Sequence, residues 1–97
     1  MRIISRKAIR EFWEDHGDAR QVLQSWYSDV KQANWSSPSE IKEMYRNASI
    51  VANNRVVFNI KGNRYRIVVA INYEFGIVYI RFVGTHAEYD KIDANTI

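Results

Sequence analysis

The sequence predicts a mixed domain in which helices come first and an antiparallel β-meander follows. Three observations carry that reading. The segments Arg55 to Ile60, Arg64 to Asn72 and Ile77 to Thr85 are rich in Val, Ile, Phe and Tyr, and short turn-forming clusters separate them. Between Ala8 and Val30, by contrast, apolar residues recur at helical spacing. A length of 97 residues, 46% of them hydrophobic and 26% charged, suits one folded domain with a modest core rather than a disordered chain.

Met1 to Ile4 reads as a short strand, and Ser5 stands where a helix N-cap is expected. Ala8, Ile9, Phe12 and Trp13 then mark a first helix that stops near Gly17, with His16 placed to interact with the helix dipole. Asp18 is positioned to cap a second helix whose apolar stripe is Ala19, Val22, Leu23, Trp26, Tyr27 and Val30, giving a helical hairpin. Ser36 to Glu40 opens a third, shorter helix with Pro38 in its first turn and Ile41, Met44 and Tyr45 facing inward. Ser49 to Val51 reads as a further short strand before an Asn53-Asn54 turn. In the meander, Gly62 and Asn63 supply the first tight turn and Gly76 the second, because these residue types accept positive φ at low cost. After the last strand, Thr85-His86-Ala87-Glu88 has the spacing of a capping box and opens a turn or two of helix.

Composition removes several function classes. With no cysteine there is no disulfide, no thiol catalysis and no Cys-ligated zinc, and two histidines far apart in sequence give no structural metal site. No apolar run approaches the ~20 residues of a membrane span, and the N-terminus lacks the apolar region of a signal peptide, so a cytoplasmic protein is expected. Charge is unevenly spread. Arg55 to His86 holds five basic residues (Arg55, Lys61, Arg64, Arg66, Arg81) against one acid (Glu74), a local +4 in a chain whose total is +3.

Strand alternation sorts these charges. Tyr65, Ile67, Val69 and Ile71 form the core side of the middle strand, with Val56, Phe58 and Ile60 on the first and Val78, Ile80 and Phe82 on the third. Arg64 and Arg66 point the other way, and with agreeing registers Asn59, Arg66, Tyr79 and Arg81 line one open, basic, partly aromatic face suited to a phosphate backbone. His86, Tyr89 and Lys91 follow directly. RNA carries its own nucleophile, the 2′-hydroxyl, so its cleavage needs only a base, a cation for the phosphorane and an acid for the departing 5′-oxygen. A histidine titrates near ~6.5 and serves as acid or base, an arginine presents a planar fork to phosphate oxygens, and Tyr or Lys beside cations can fill the remaining role. The same residues also fit a basic domain that binds RNA without cutting it, and a protein-interaction or transcription-regulating module that works only inside a complex.

Two stretches bear a resemblance that chooses among these. Val57 to Ile67 (V-F-N-I-K-G-N-R-Y-R-I) and Ile80 to Asp90 (I-R-F-V-G-T-H-A-E-Y-D) resemble the HigB family of bacterial type II toxin-antitoxin systems, part of the wider RelE group of small endoribonucleases. The resemblance extends over essentially the whole chain. It implies a RelE-like α+β fold, in which an N-terminal helical hairpin packs on one face of a twisted antiparallel sheet and a short helix closes the C-terminus. It further implies metal-independent, ribosome-dependent mRNA cleavage without a cofactor, and a HigA-type helix-turn-helix antitoxin through which alone operator DNA is contacted. The family pattern falls on Asn59, Gly62, Asn63 and Arg66, and on Thr85, His86, Glu88, Tyr89 and Asp90. By that resemblance Arg66 acts on the scissile phosphate and His86 and Tyr89 transfer protons, either of them as acid or base; from the basic face, Arg81 is expected to help Arg66, and Arg55, Asn59, Lys61, Arg64 and Lys91 to contact RNA. Glu88 is expected to serve as the cap more than as a partner of His86, and Arg81 has Glu88 or Asp90 as possible ion-pair partners.

Overall fold

A computed structural model describes residues 1–97. Its elements are β1 (Arg2–Ile4), α1 (Arg6–Asp15), a 3-10 turn (Gly17–Ala19), α2 (Arg20–Gln32), α3 (Pro38–Met44), β2 (Ser49–Val51), β3 (Arg55–Ile60), β4 (Tyr65–Asn72), β5 (Ile77–Thr85) and α4 (His86–Tyr89). The five strands form one sheet in the order β1-β5-β4-β3-β2. From β2 to β5 all pairing is antiparallel, as the turn chemistry predicts, with Asn59 opposite Arg66 and Arg66 opposite Gly84. The N-terminal strand differs: β1 lies parallel to β5, Arg2 beside Ile77, so the sheet is mixed at one edge. β1 and β5 are separated by the three helices and by β2–β4, a connection long enough for parallel pairing, which no hairpin allows.

The helices cover one face. Ile9, Leu23, Trp26, Val30 and Ile41 bury against Val56, Phe58, Ile67, Val69 and Val78 in a core of 18 residues. Phe58 sits at its middle, with Trp26, Trp35 and Tyr45 at ring-centroid distances of 5.5, 6.2 and 5.3 Å. Burying each such side chain contributes ~1.5–3 kcal/mol, so this aromatic stripe is what fixes the helical layer to the sheet.

Three expectations at the helices need correction. On α2 the buried seam is Ala19, Leu23, Trp26 and Val30, while Val22 is 36% exposed because it lies one residue off the seam. Met44, expected inside, is 49% exposed: α3 ends there and the chain turns at Tyr45. Asp18 does not cap α2. It sits in the 3-10 turn, and its carboxylate accepts hydrogen bonds from Arg64 Nη1 (2.6 Å) and the Tyr65 hydroxyl. The guanidinium and the phenol together give this carboxylate two charge-assisted bonds, and the cap position yields to these tertiary partners. The first meander turn is also displaced by one residue, with Lys61 and Gly62 rather than Gly62 and Asn63 at positive φ.

The opposite face departs furthest from simple alternation. A β-bulge between Val68 and Val69 pairs Val69 with Ile80 but Val68 with Phe82, leaving Arg81 as the extra residue. Past the bulge every side chain of β5 changes face. Phe82, expected in the main core, lies on the other side with Val57 and Val68, where Ala94 completes a small second core bordered by Tyr89, Ile92 and Ile97. The face read as open is therefore partly covered by the segment after α4.

Candidate nucleic-acid interface and active site

The site is built where β4 begins, β5 ends and α4 starts. The reciprocal capping box fixes α4: Thr85 N donates to Glu88 Oε1 (2.9 Å), and Glu88 N donates to Thr85 Oγ1 (3.2 Å). Donation to that carboxylate from the Thr85 backbone amide and then from the Thr85 hydroxyl, with His16 and Lys91 nearby, holds the Glu88 carboxyl below the ordinary carboxylate range. Glu88 is thus a cap, as the spacing suggested. The His86 amide also donates to the Arg64 carbonyl at 3.1 Å, which ties α4 to the start of β4.

With α4 anchored, Tyr89 is brought over Arg66, the guanidinium carbon lying 5.6 Å from the ring centroid. Phe82 supports the same ring from β5 at 6.4 Å. Arg66 donates one hydrogen bond, Nη1 to the Asn63 carbonyl at 3.0 Å, and has no carboxylate partner; its remaining N–H donors are free. His86, one turn before Tyr89, has Nδ1 3.2 Å from Asp90 Oδ2. An Nδ1–H directed at a carboxylate leaves the lone pair on Nε2. Two side-chain pairs thus meet the start of β4 through α4: Tyr89 over Arg66, and His86 with Asp90.

The other predicted cations are distributed differently. Arg81 pairs with neither Glu88 nor Asp90: its Nε donates to the Ile97 backbone oxygen at 3.3 Å. Arg55 donates to the same oxygen through Nε (3.2 Å) and Nη2 (2.7 Å), so these two arginines hold the 93–97 segment on the sheet. Asn95 reinforces it, with Oδ1 accepting from Ala52 N at 2.9 Å and its carbonyl accepting from Asn53 Nδ2 at 2.8 Å. Lys61 and Arg64 turn toward the α1–α2 junction, Lys61 Nζ to the Asp18 carbonyl (3.3 Å) and Arg64 to the Asp18 carboxylate. The Tyr65 hydroxyl and then the Arg64 guanidinium lower the Asp18 pKa, and the same carboxylate raises those of Tyr65 and Arg64. Asn59 stays beside Arg66 as its cross-strand partner, and Lys91 makes no side-chain hydrogen bond. Tyr79 shares the face but pairs with Ala70, four residues along β4 from Arg66. His16 behaves as expected, its Nδ1 3.2 Å from the Phe12 carbonyl at the end of α1.

Sequence reasoning missed three contributors. Gly84, opposite Arg66, has the Phe82 ring folded directly over its Cα, where a Cβ would collide with the ring. A glycine inside a strand was the available signal, since it marks close approach by another group. Phe82 was assigned to the wrong face because the bulge is invisible to a strict period of two. Asp90 had no role beyond a possible partner for Arg81. Nothing resembling a metal centre accompanies these groups: no three His, Asp or Glu side chains come together in a way that could hold an ion. No helix is long and apolar enough to cross a membrane.

Helices stacked on one side of a small twisted sheet, with a short helix after the last strand, make a RelE-like α+β fold. A family model of HigB toxins, described as the RelE-like toxic component of a toxin-antitoxin system, matches residues 19–92. The chain is 28% identical over 94 residues to the mRNA interferase HigB of Escherichia coli O6:H1 (strain CFT073), spanning 95% of this chain and 91% of that protein. It is 27% identical over 96 residues to the mRNA interferase toxin HigB of Escherichia coli K12 and to the mRNA interferase HigB of Shigella flexneri, with 97% of this chain and 92% of each relative covered. The chain belongs to the HigB toxin family.

Proposed function

We propose that this protein is an mRNA interferase: a single-domain, cytoplasmic endoribonuclease that cuts mRNA on the ribosome, halts translation, and is neutralised by a HigA-type helix-turn-helix antitoxin. Operator DNA is contacted only through that antitoxin. The observation that carries the reading is the pairing state of Arg66. Of the arginines predicted on the β3–β5 strands, it alone has neither a carboxylate nor the Ile97 oxygen as partner, and it lies against Tyr89, on the short helix that also carries His86. Support also comes from its relatives in Escherichia coli and Shigella, which are mRNA interferases.

The reaction runs without a metal ion or cofactor. His86 Nε2 removes the proton from a 2′-hydroxyl, whose oxygen attacks the adjacent phosphorus. Arg66 donates to the non-bridging oxygens and offsets the charge that grows on the phosphorane, where fixed donors act most strongly. The P–O5′ bond breaks, and the Tyr89 hydroxyl gives its proton to the departing oxygen. Atoms and charge balance to a 2′,3′-cyclic phosphate and a 5′-hydroxyl, and the cyclic product can open to a 3′-phosphate. Asp90 keeps His86 in the tautomer that a base requires, and it stabilises the imidazolium formed.

Inducing the protein in bacteria and mapping mRNA 5′ ends across the genome tests this. New cuts within translated regions that vanish with Arg66→Ala and His86→Ala are the expected result. Growth arrest with intact mRNA would instead leave an RNA-binding protein that blocks translation by occupancy.

A further inference from the structure

The hairpin tip between β3 and β4 carries two backbone carbonyls on which the catalytic candidates depend. The Asn63 carbonyl accepts the only side-chain hydrogen bond of Arg66, from Nη1 at 3.0 Å, and the Arg64 carbonyl accepts from the His86 amide at 3.1 Å. The tip itself is weakly closed: Lys61 and Gly62 stand at positive φ, and the Arg64 amide reaches the Lys61 carbonyl only at 3.3 Å. One residue of the α1–α2 junction ties it down. Asp18 accepts from Arg64 Nη1 (2.6 Å) and the Tyr65 hydroxyl through its carboxylate, and from Lys61 Nζ (3.3 Å) through its carbonyl. We propose that Asp18 is a positioning residue for cleavage: it holds the 61–65 segment, and through the two carbonyls there it sets where Arg66 and His86 stand. The proposal rests on the nuclease reading and adds to that site a residue from the helical layer.

Three observations support it. The first is convergence. An exposed ion pair by itself contributes little, but here three donors lying 43, 46 and 47 residues away in sequence meet on one residue. The second is the seat of Tyr65, a buried residue. Phe12 stacks on His16 at a centroid distance of 4.2 Å, and both rings meet Tyr65 edge-on at 5.1 and 5.4 Å. The phenol is thus aimed at Asp18 by ring packing, and the tie ends in the core rather than on a side chain free to swing.

The third is order along the chain. Tyr65 directly precedes Arg66 and pairs with Thr85, the N-cap of α4, so a shift of Tyr65 displaces both the strand arginine and the start of the helix that carries His86 and Tyr89. Groups that must meet a reacting phosphate in fixed geometry lose rate when their support moves, and a misplacement of ~1 Å costs about 10²-fold.

The test compares purified wild type, Asp18→Ala, Asp18→Glu, Arg64→Ala and the Asp18→Ala/Arg64→Ala double variant in a translation system carrying a reporter mRNA, with kcat and KM for cleavage read separately. Asp29→Ala is the stability control, since it removes a bond of the same kind, from the Tyr45 hydroxyl at 2.7 Å, between α2 and the end of α3. Asp18→Ala is expected to lower kcat about tenfold or more with KM unchanged or smaller, because losing an acid makes the protein more basic and an effect on RNA binding alone would tighten it. Arg64→Ala should cost a similar factor in kcat, the double variant no more than either single change, and Asp18→Glu should keep part of the rate. Arg64→Ala removes a largely exposed side chain and carries the test should Asp18→Ala not fold. Hydrogen exchange reads the tie without cleavage: the His86 amide should exchange faster in Asp18→Ala and keep its wild-type rate in Asp29→Ala. A kcat for Asp18→Ala within about threefold of wild type, an equal loss in Asp29→Ala, additive losses in the double variant, or an unchanged His86 amide overturns the proposal. A wild type that leaves ribosome-bound mRNA intact sinks the nuclease reading, and exchange at His86 then still decides whether Asp18 holds α4.

Discussion

Replacing Arg66 by alanine separates chemistry from folding more cleanly than any other change in this chain. In the structure the side chain gives up one charged hydrogen bond to the Asn63 carbonyl and one cation–π contact with Tyr89. The first is worth about 1.5 kcal/mol net and the second ~0.5–1 kcal/mol at a partly exposed position. The expected loss is therefore about 2 kcal/mol, a fall in Tm on the order of 8–16 °C, and the protein should still fold cooperatively at 25 °C. Catalysis should suffer far more. Removing one preorganised donor from a developing oxyanion costs ~10²–10³ in rate, and an arginine that reaches a transferring phosphoryl group ~10³–10⁵. Cleavage of a reporter mRNA in a purified translation system, read by primer extension beside a circular-dichroism melt, measures both effects. Arg66→Lys should recover only part of the rate, because an ammonium keeps the charge but lacks the planar fork. Cleavage by Arg66→Ala within threefold of wild type would refute the reasoning.

Further changes have equally distinct signatures. Gly84→Ala places a Cβ where the Phe82 ring lies, so it should cost about 1–3 kcal/mol by overpacking and, by moving Phe82 and Tyr89, slow cleavage at least tenfold; a melt and the cleavage assay report the two. Arg81→Ala should free the 93–97 segment, seen as faster hydrogen exchange at Ala94 and Asn95, with less than a tenfold loss of cleavage; a loss as deep as that of Arg66→Ala would put Arg81 on the substrate. Glu88 has a folded pKa below its ordinary 4.5, so its contribution is present above that value and disappears as pH falls through the depressed one. The Tm gap between wild type and Glu88→Ala should accordingly be full at pH 6 and close on acidification toward pH 3. A gap independent of pH would remove the charged cap from the account.

Much of this molecule is legible locally. A period of two over β3 and β4, a period of 3.6 over α1 and α2, and glycine or asparagine at the turns placed the elements within a residue or two, because each signal depends on neighbours in the chain. Thr85 and Glu88 are three apart and satisfy each other's backbone amides, so their box needed no tertiary information. The catalytic candidates Arg66, His86 and Tyr89 were recognisable by residue type and motif.

What the sequence by itself determined, then, is the set of elements and the helix-covered core face. Tertiary structure alone decided which cations stay free. A single bulge residue reverses the faces of half a strand, and no composition signal marks it. Long charged side chains take partners by proximity in space: Arg64 reaches Asp18 across 46 residues, and Arg55 and Arg81 converge on Ile97. The five basic residues on adjoining strands thus took different partners, because electrostatic pairing depends on distance and the sequence holds no distances.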